Sequence, residues 1–341
     1  MEKLLLITLS IITTIESNPV INPRQKVMLL ADIDQLCSKL VVIDNMFFKF
    51  DIQKNVSGIP ADMNVHWKTG NVFFTLISEE MKMNIVVLHN SGELEIIKVA
   101  GLGQSTSVDN LNDIVYLATD NGVYKYKDDG SFEQYTAIGE DVMYLTVSAD
   151  GSAMFIATWP QNRVLKITND GQKIELFPAI PNGHGLTIDT RDNIYFVATK
   201  TSYVLKNGES IPIKIKGLPS NKMTGIFVSR SDAVYAMDEN SNLFIVNAET
   251  ARYLGSFGIE GVNSFAMDAA DNVLIGVKGA VLKFTALEQN PCIGYTKTEN
   301  QEDTTEYKRH KSRHSHRKHA RATTSTTEAV EEEYEEELEE E

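Results

Sequence analysis

A stretch of about 40 residues recurs along this chain, and the repetition restricts the possible folds more than any other feature of the sequence. Its clearest copy runs from Tyr144 to Phe177, where apolar runs at 144–148, 153–158, 163–167 and 173–177 are separated by Asp150-Gly151, Trp159-Pro160-Gln161-Asn162 and Asn169-Asp170-Gly171. Those separators favour turns or supply left-handed backbone, so successive runs pair as hairpins and the unit is a four-stranded antiparallel meander. Ala153 to Thr158 is apolar on both faces, as suits a strand packed between two other layers. Equivalent runs begin near Met63, Ser105, Gly185, Thr224 and Ser264, at intervals of 39 to 42 residues. One such sheet cannot bury both faces alone and needs copies on either side. A β-sandwich would show turn signals without this self-similarity. The expected fold is therefore all-β, a six-bladed β-propeller.

The two ends of the repeat array complete each other. The last repeat has only three runs, Ser264–Met267, Asn272–Ile275 and Ala280–Phe284, before Asn290-Pro291-Cys292. The hairpin Lys39–Ile43, Asp44-Asn45, Met46–Phe50 is the natural donor of the missing strand, so N- and C-terminal strands should close the ring within one blade. Cys37 and Cys292, the two cysteines of the chain, bracket the array and are expected to form a disulfide across the closure. Before them, Met1-Glu2-Lys3 precedes the apolar run Leu4–Ile15, with a cleavage site expected after Ser17. That pattern predicts a signal peptide over 1–17 and a secreted protein, followed by an arm over 18–36; the apolar run is too short for a membrane span. Asn55-Val56-Ser57 is a glycosylation sequon, placed by the reading in the link between the closing hairpin and blade 1.

The propeller is expected over 37–294, and composition changes after it. Lys308–Arg321 holds seven Lys and Arg with four of the seven histidines, and Glu328–Glu341 holds ten glutamates. Too little apolar surface remains there to offset the entropy of ordering, so 295–341 is expected to be disordered, a polyampholyte with some capacity for polyanions or a transition metal. The net charge of −15 argues against nucleic acid as a partner.

In a propeller, the loops leading into each first strand and those joining second to third strands open together at the mouth of the channel. This places Pro60, Asp62, Met63, Asp109, Asn110, Met143, Gly183 and the principal candidates Trp159, Tyr144, His184, Asn182, Met223 and Asn263 at the mouth. Flat or polarisable surface from Trp159, Tyr144 and Met223, with hydrogen-bonding edges from His184, Asn182 and Asn263, suits a planar, polar-edged organic ligand. No G-x-S-x-G, H-E-x-x-H or P-loop is present. His66 and His89 read as structural.

With its Cys-x-x-Leu-Val-Val-Ile-Asp opening, Asn-Arg-Val-Leu-Lys-Ile and Asn-Ile-Tyr-Phe-Val-Ala-Thr repeats and closing Asn-Pro-Cys, the chain from Cys37 to Cys292 resembles the ommochrome-binding proteins of lepidopteran insects. The resemblance implies a haemolymph or tissue carrier that binds a tryptophan-derived phenoxazinone pigment and is not an enzyme, with no cofactor and no metal. The His/Arg-then-Glu tail departs from that pattern. The six-repeat pattern also looks like the gluconolactonase family of calcium-dependent hydrolases, whose asparagine motif Pro181-Asn182-Gly183 matches. The carboxylates expected of that family in the segments Gly58–Asp62 and Lys222–Gly225 do not align, which favours binding over hydrolysis. A lactonase or esterase and an extracellular interaction scaffold acting through the tail stand as the alternatives.

Overall fold

Asn169-Asp170 and Asp44-Asn45 adopt the left-handed backbone expected of tight hairpin turns, with φ of 52° and 50° and of 45° and 66°. Such turns fold the chain, seen here in a computed structural model that describes residues 35–293 apart from 128, 161, 221 and 222, into six antiparallel sheets. The innermost strands are Ile59–His66, Gly103–Asp109, Val142–Val147, His184–Ile188, Met223–Val228 and Val262–Met267, and they head blades 1 to 6 in that order. The expected six-bladed propeller is the observed fold. The expected signal peptide, most of the arm and the tail lie outside the described residues.

Apolar clusters fill the gaps between neighbouring blades, and they explain the two-faced second strands. In blade 3, Met154 and Ile156 pack towards blade 2 with Tyr116 and Ala118, whereas Phe155 and Ala157 pack towards blade 4 with Phe196. In blade 1, Phe73 joins Val115 and Leu117 of blade 2, while Phe74 joins Ala266 and Leu274 of blade 6. A side-chain period of two thus serves two interfaces at once. Burying each large side chain contributes on the order of 1.5–3 kcal/mol.

Blade 6 closes the ring as the end-to-end pairing predicts, with both arms of the N-terminal hairpin in its sheet, so that it has five strands. Its order is Val262–Met267, Val273–Val277, Ala280–Leu287, then Met46–Asn55 and, outermost, Leu40–Ile43. The strand from the N-terminal side pairs Phe47 with Leu287 and Asn55 with Ala280. Asn55 therefore ends a strand instead of lying in a link; its side chain is exposed. Cys37, in a single helical turn, is bonded to Cys292 across 255 residues, with the Cα atoms 5.9 Å apart.

Candidate functional site at the channel mouth

Each innermost strand loses register with its neighbour at its first residues. The slips fall between Ala61 and Asn64, Gly103 and Ser105, Val142 and Tyr144, His184 and Thr187, Met223 and Gly225, and Val262 and Ser264. An extra residue in one strand frees its side chain from the sheet and re-aims it. Six bulges at the heads of the innermost strands set residues such as Asp62, Gln104, Met143 and Asn263 out of the regular pairing at the mouth.

Asp62 takes the left-handed backbone, φ 49°, that an aspartate tolerates better than most residues. Its Oδ2 accepts hydrogen bonds from Ser105 Oγ at 2.5 Å and from the Thr106 backbone N–H at 2.8 Å. Thr106 belongs to the innermost strand of blade 2, whose only sheet neighbour among the described residues is the strand Ile114–Thr119. An N–H of that strand bonded elsewhere faces the channel, so the Asp62 carboxylate lies in the channel. Its Oδ1 has no hydrogen-bond partner and its charge no counter-ion among the described residues. The surrounding protein pushes its carboxyl pKa up by desolvation, against the two hydrogen bonds, although the channel leaves the residue partly accessible.

Around the rim from Asp62 come Tyr144 of blade 3 and His184 of blade 4. Their ring centroids are 5.9 Å apart, tilted by 43°. Burial raises the Tyr144 phenol pKa, and the negative charge of Asp62 adds to that. His184 is pushed down by burial, opposed by a ring N–H donated to the Asn182 carbonyl, and is neutral at pH 7. Gln104 spans the heads of blades 2 and 3: its Nε2 donates to Asp141 Oδ1 at 2.5 Å, while its buried Oε1 has no donor among the described residues.

The other candidates are dispersed. Trp159, 54% exposed and joined to Pro160 by a cis peptide, is held at the rim by its backbone N–H on the Asp141 carbonyl. Among the described residues, no ring contact joins it to Tyr144 or His184. Asn182 is exposed in a left-handed turn, φ 55°, and serves His184 through its carbonyl. Met223 packs on the cluster between blades 4 and 5, and Asn263 turns back to the Gly261 carbonyl at 2.8 Å. Met63 is buried core. Asp109 and Asn110 do not belong to the mouth: they lie at and just past the other end of their strand, at the far face, where Asn110 Oδ1 accepts the Trp67 N–H of the neighbouring blade. His66 and His89 are structural, bonded to Thr69 and Glu95. Asp62 and Gln104 were not among the principal candidates; the pairing slips in which they sit leave no mark in residue spacing.

No protein-family model matches the chain, and no curated protein matches it. Among solved structures, its fold is similar to that of a gluconolactonase from Xanthomonas campestris, with 11% identity, 70% of this chain and 90% of that one covered, and a TM-score of 0.55. An auxiliary nutrient binding protein from Bacteroides thetaiotaomicron matches at 11% identity over 70% and 73% of the two chains, TM-score 0.53. A catalytically inactive virginiamycin B lyase from Staphylococcus aureus, with quinupristin, matches at 14% identity over 72% and 89%, TM-score 0.50. At such identities the likeness carries the fold. The expectation that the chain is not an enzyme is corrected on this point: its fold is shared with a gluconolactonase and a lyase, so the architecture gives no ground for excluding catalysis. The calcium that the gluconolactonase resemblance implies does not fit the residues present. Asp62 and Asp141 each have an oxygen already engaged, and among the described residues no three His, Cys, Asp or Glu side chains are grouped to hold a metal.

Proposed function

We propose that the ring binds a small, planar, polar-edged organic molecule at the channel mouth. The observation that carries this reading is the Tyr144–His184 ring pair beside the channel carboxylate of Asp62, with Trp159 exposed on the same rim. The paired rings supply a flat wall, neutral His184 an edge-on hydrogen bond, and Trp159 a second apolar surface above them. Asn182, Met223 and Asn263 complete the rim in this reading. The resemblance of the repeats to those of ommochrome-binding proteins makes a tryptophan-derived phenoxazinone pigment the first ligand to test, and secretion with a glycan on Asn55 belongs to the same proposal. Titration of the purified protein with xanthommatin, followed by absorption, should give a shifted visible band that saturates at one pigment per ring. An unchanged pigment spectrum rejects the reading. Trp159→Ala should weaken binding about fivefold, the equivalent of about 1 kcal/mol for a lost aromatic contact.

A second reading, turnover of the bound molecule, is favoured by one observation: a carboxyl with a raised pKa and a neutral imidazole share the mouth, the two kinds of group that proton transfer near pH 7 uses. Hydrolysis of aromatic lactones and esters, assayed with and without chelator, tests it. Metal-independent turnover lost in His184→Ala supports it, and no turnover of any of them removes it.

A further inference from the structure

The channel carboxylate has more to bind than the protein gives it. Asp62 Oδ2 is satisfied by Ser105 and Thr106, yet Oδ1 is left without a donor, and no lysine or arginine neutralises the charge among the described residues. The titratable group that feels its charge is Tyr144, whose phenol stays protonated at neutral pH; His184, held uncharged, lies on the Tyr144 ring. One residue along the strand from Ser105, Gln104 presents a second acceptor without a donor; its amide orientation is set because its nitrogen must face the Asp141 carboxylate. Gln104 is 8% exposed, so this is an unpaired polar atom inside the structure and not on its surface. The mouth thus has, at Asp62, a carboxylate oxygen without a donor among the described residues, a partly desolvated negative charge and the Tyr144–His184 ring pair beside it, a combination that selects a cation carrying N–H donors.

We propose that Asp62 receives a protonated amine of the ligand, with the planar part of the molecule against Tyr144 and His184. This rests on the reading of the mouth as a site for a planar organic molecule, and adds the charge and the donor that the molecule must carry. A charge-assisted hydrogen bond of this kind corresponds to a preference of about tenfold or more over the same molecule without the charge.

The test compares a phenoxazinone bearing an aminoethyl side chain with its N-acetyl counterpart, titrated by absorption against the full-length protein and Asp62→Asn. Asparagine keeps an oxygen for Ser105 and Thr106 while removing the charge. The amine should bind the wild type at least about tenfold more tightly than the acetylated compound, and the preference should vanish in Asp62→Asn. Equal binding of the two compounds to the wild type, which needs no variant, overturns the amine proposal and leaves the planar-ligand reading standing. Binding of neither overturns both. Calcium bound by the wild type and lost in Asp62→Asn, with no amine preference, assigns the carboxylate to a metal and likewise overturns the proposal.

Discussion

A partly desolvated charge without a counter-ion among the described residues is a local liability, and at Asp62 it can be measured separately from function. Because the folded state holds the Asp62 proton more tightly than the unfolded chain does, ionised Asp62 weakens the fold at neutral pH. As pH falls through the raised folded-state value towards the ordinary carboxylate value of 3.8, the folded state takes up the proton first and stability is gained. Asp62→Asn should accordingly match or exceed the wild type in urea midpoint at pH 7, and this advantage should shrink through that window. His184 acts with the opposite sign, losing stability as pH falls below its ordinary 6.5, but it is common to both proteins and cancels in their difference. A variant markedly less stable than the wild type at pH 7 would show that Asp62 is there to hold Ser105 and Thr106 in place. At this scale the sequence was only partly legible. The turn pattern brought Tyr144 and His184 to one rim, where they meet. Trp159 was expected at the mouth as a flat surface for a ligand; it lies exposed, its backbone N–H on the Asp141 carbonyl, with no ring contact to Tyr144 among the described residues. Asp62 was visible as a mouth residue but was not ranked among the principal candidates.

Strands and turns were the most legible part of the chain, since a period of two and Asn/Asp-Gly punctuation act within a few residues. The inter-blade contacts that order these elements are longer in range. Ala149 and Thr190, just past the inner strands of blades 3 and 4, donate their N–H groups to Asp192 and Asp232 of the following blade, as Trp67 does to Asn110. That repeated use explains why Asp109 and Asn110 were misplaced: a polar residue beside a first strand can serve the mouth or the far-face latch, and only the strand's direction tells which. Close approach sets another limit. A Cβ on Gly276 would lie 2.4 Å from Ser264 Oγ and 2.9 Å from the Pro60 carbonyl, the two groups whose hydrogen bond joins blades 6 and 1. Gly276→Ala should lower unfolding free energy by about 1–3 kcal/mol, as overpacking does, read from denaturant melts. An unchanged midpoint would mean that the two blades separate without strain.

The ring as a whole depends on its closure. In the simple chain-entropy model a crosslink across 255 residues contributes about 5 kcal/mol through the unfolded state, so Cys37→Ser with Cys292→Ser should lower the denaturation midpoint strongly. A loss below about 1 kcal/mol would show that strand pairing between Met46–Asn55 and Ala280–Leu287 suffices by itself. The closure was readable from the sequence because a repeat lacking its fourth strand and a spare hairpin at the opposite end each imply the other, and both arms of that hairpin join the blade. Blade 6 also ties the assembly of the molecule to the order in which it is made. Its outer two strands are synthesised first and its inner three last, so the earliest hairpin to emerge must wait, with one edge unpaired, until more than two hundred further residues have followed it. Shortening that wait by circular permutation, with new ends between two other blades, would let every blade complete itself from continuous chain as it emerges.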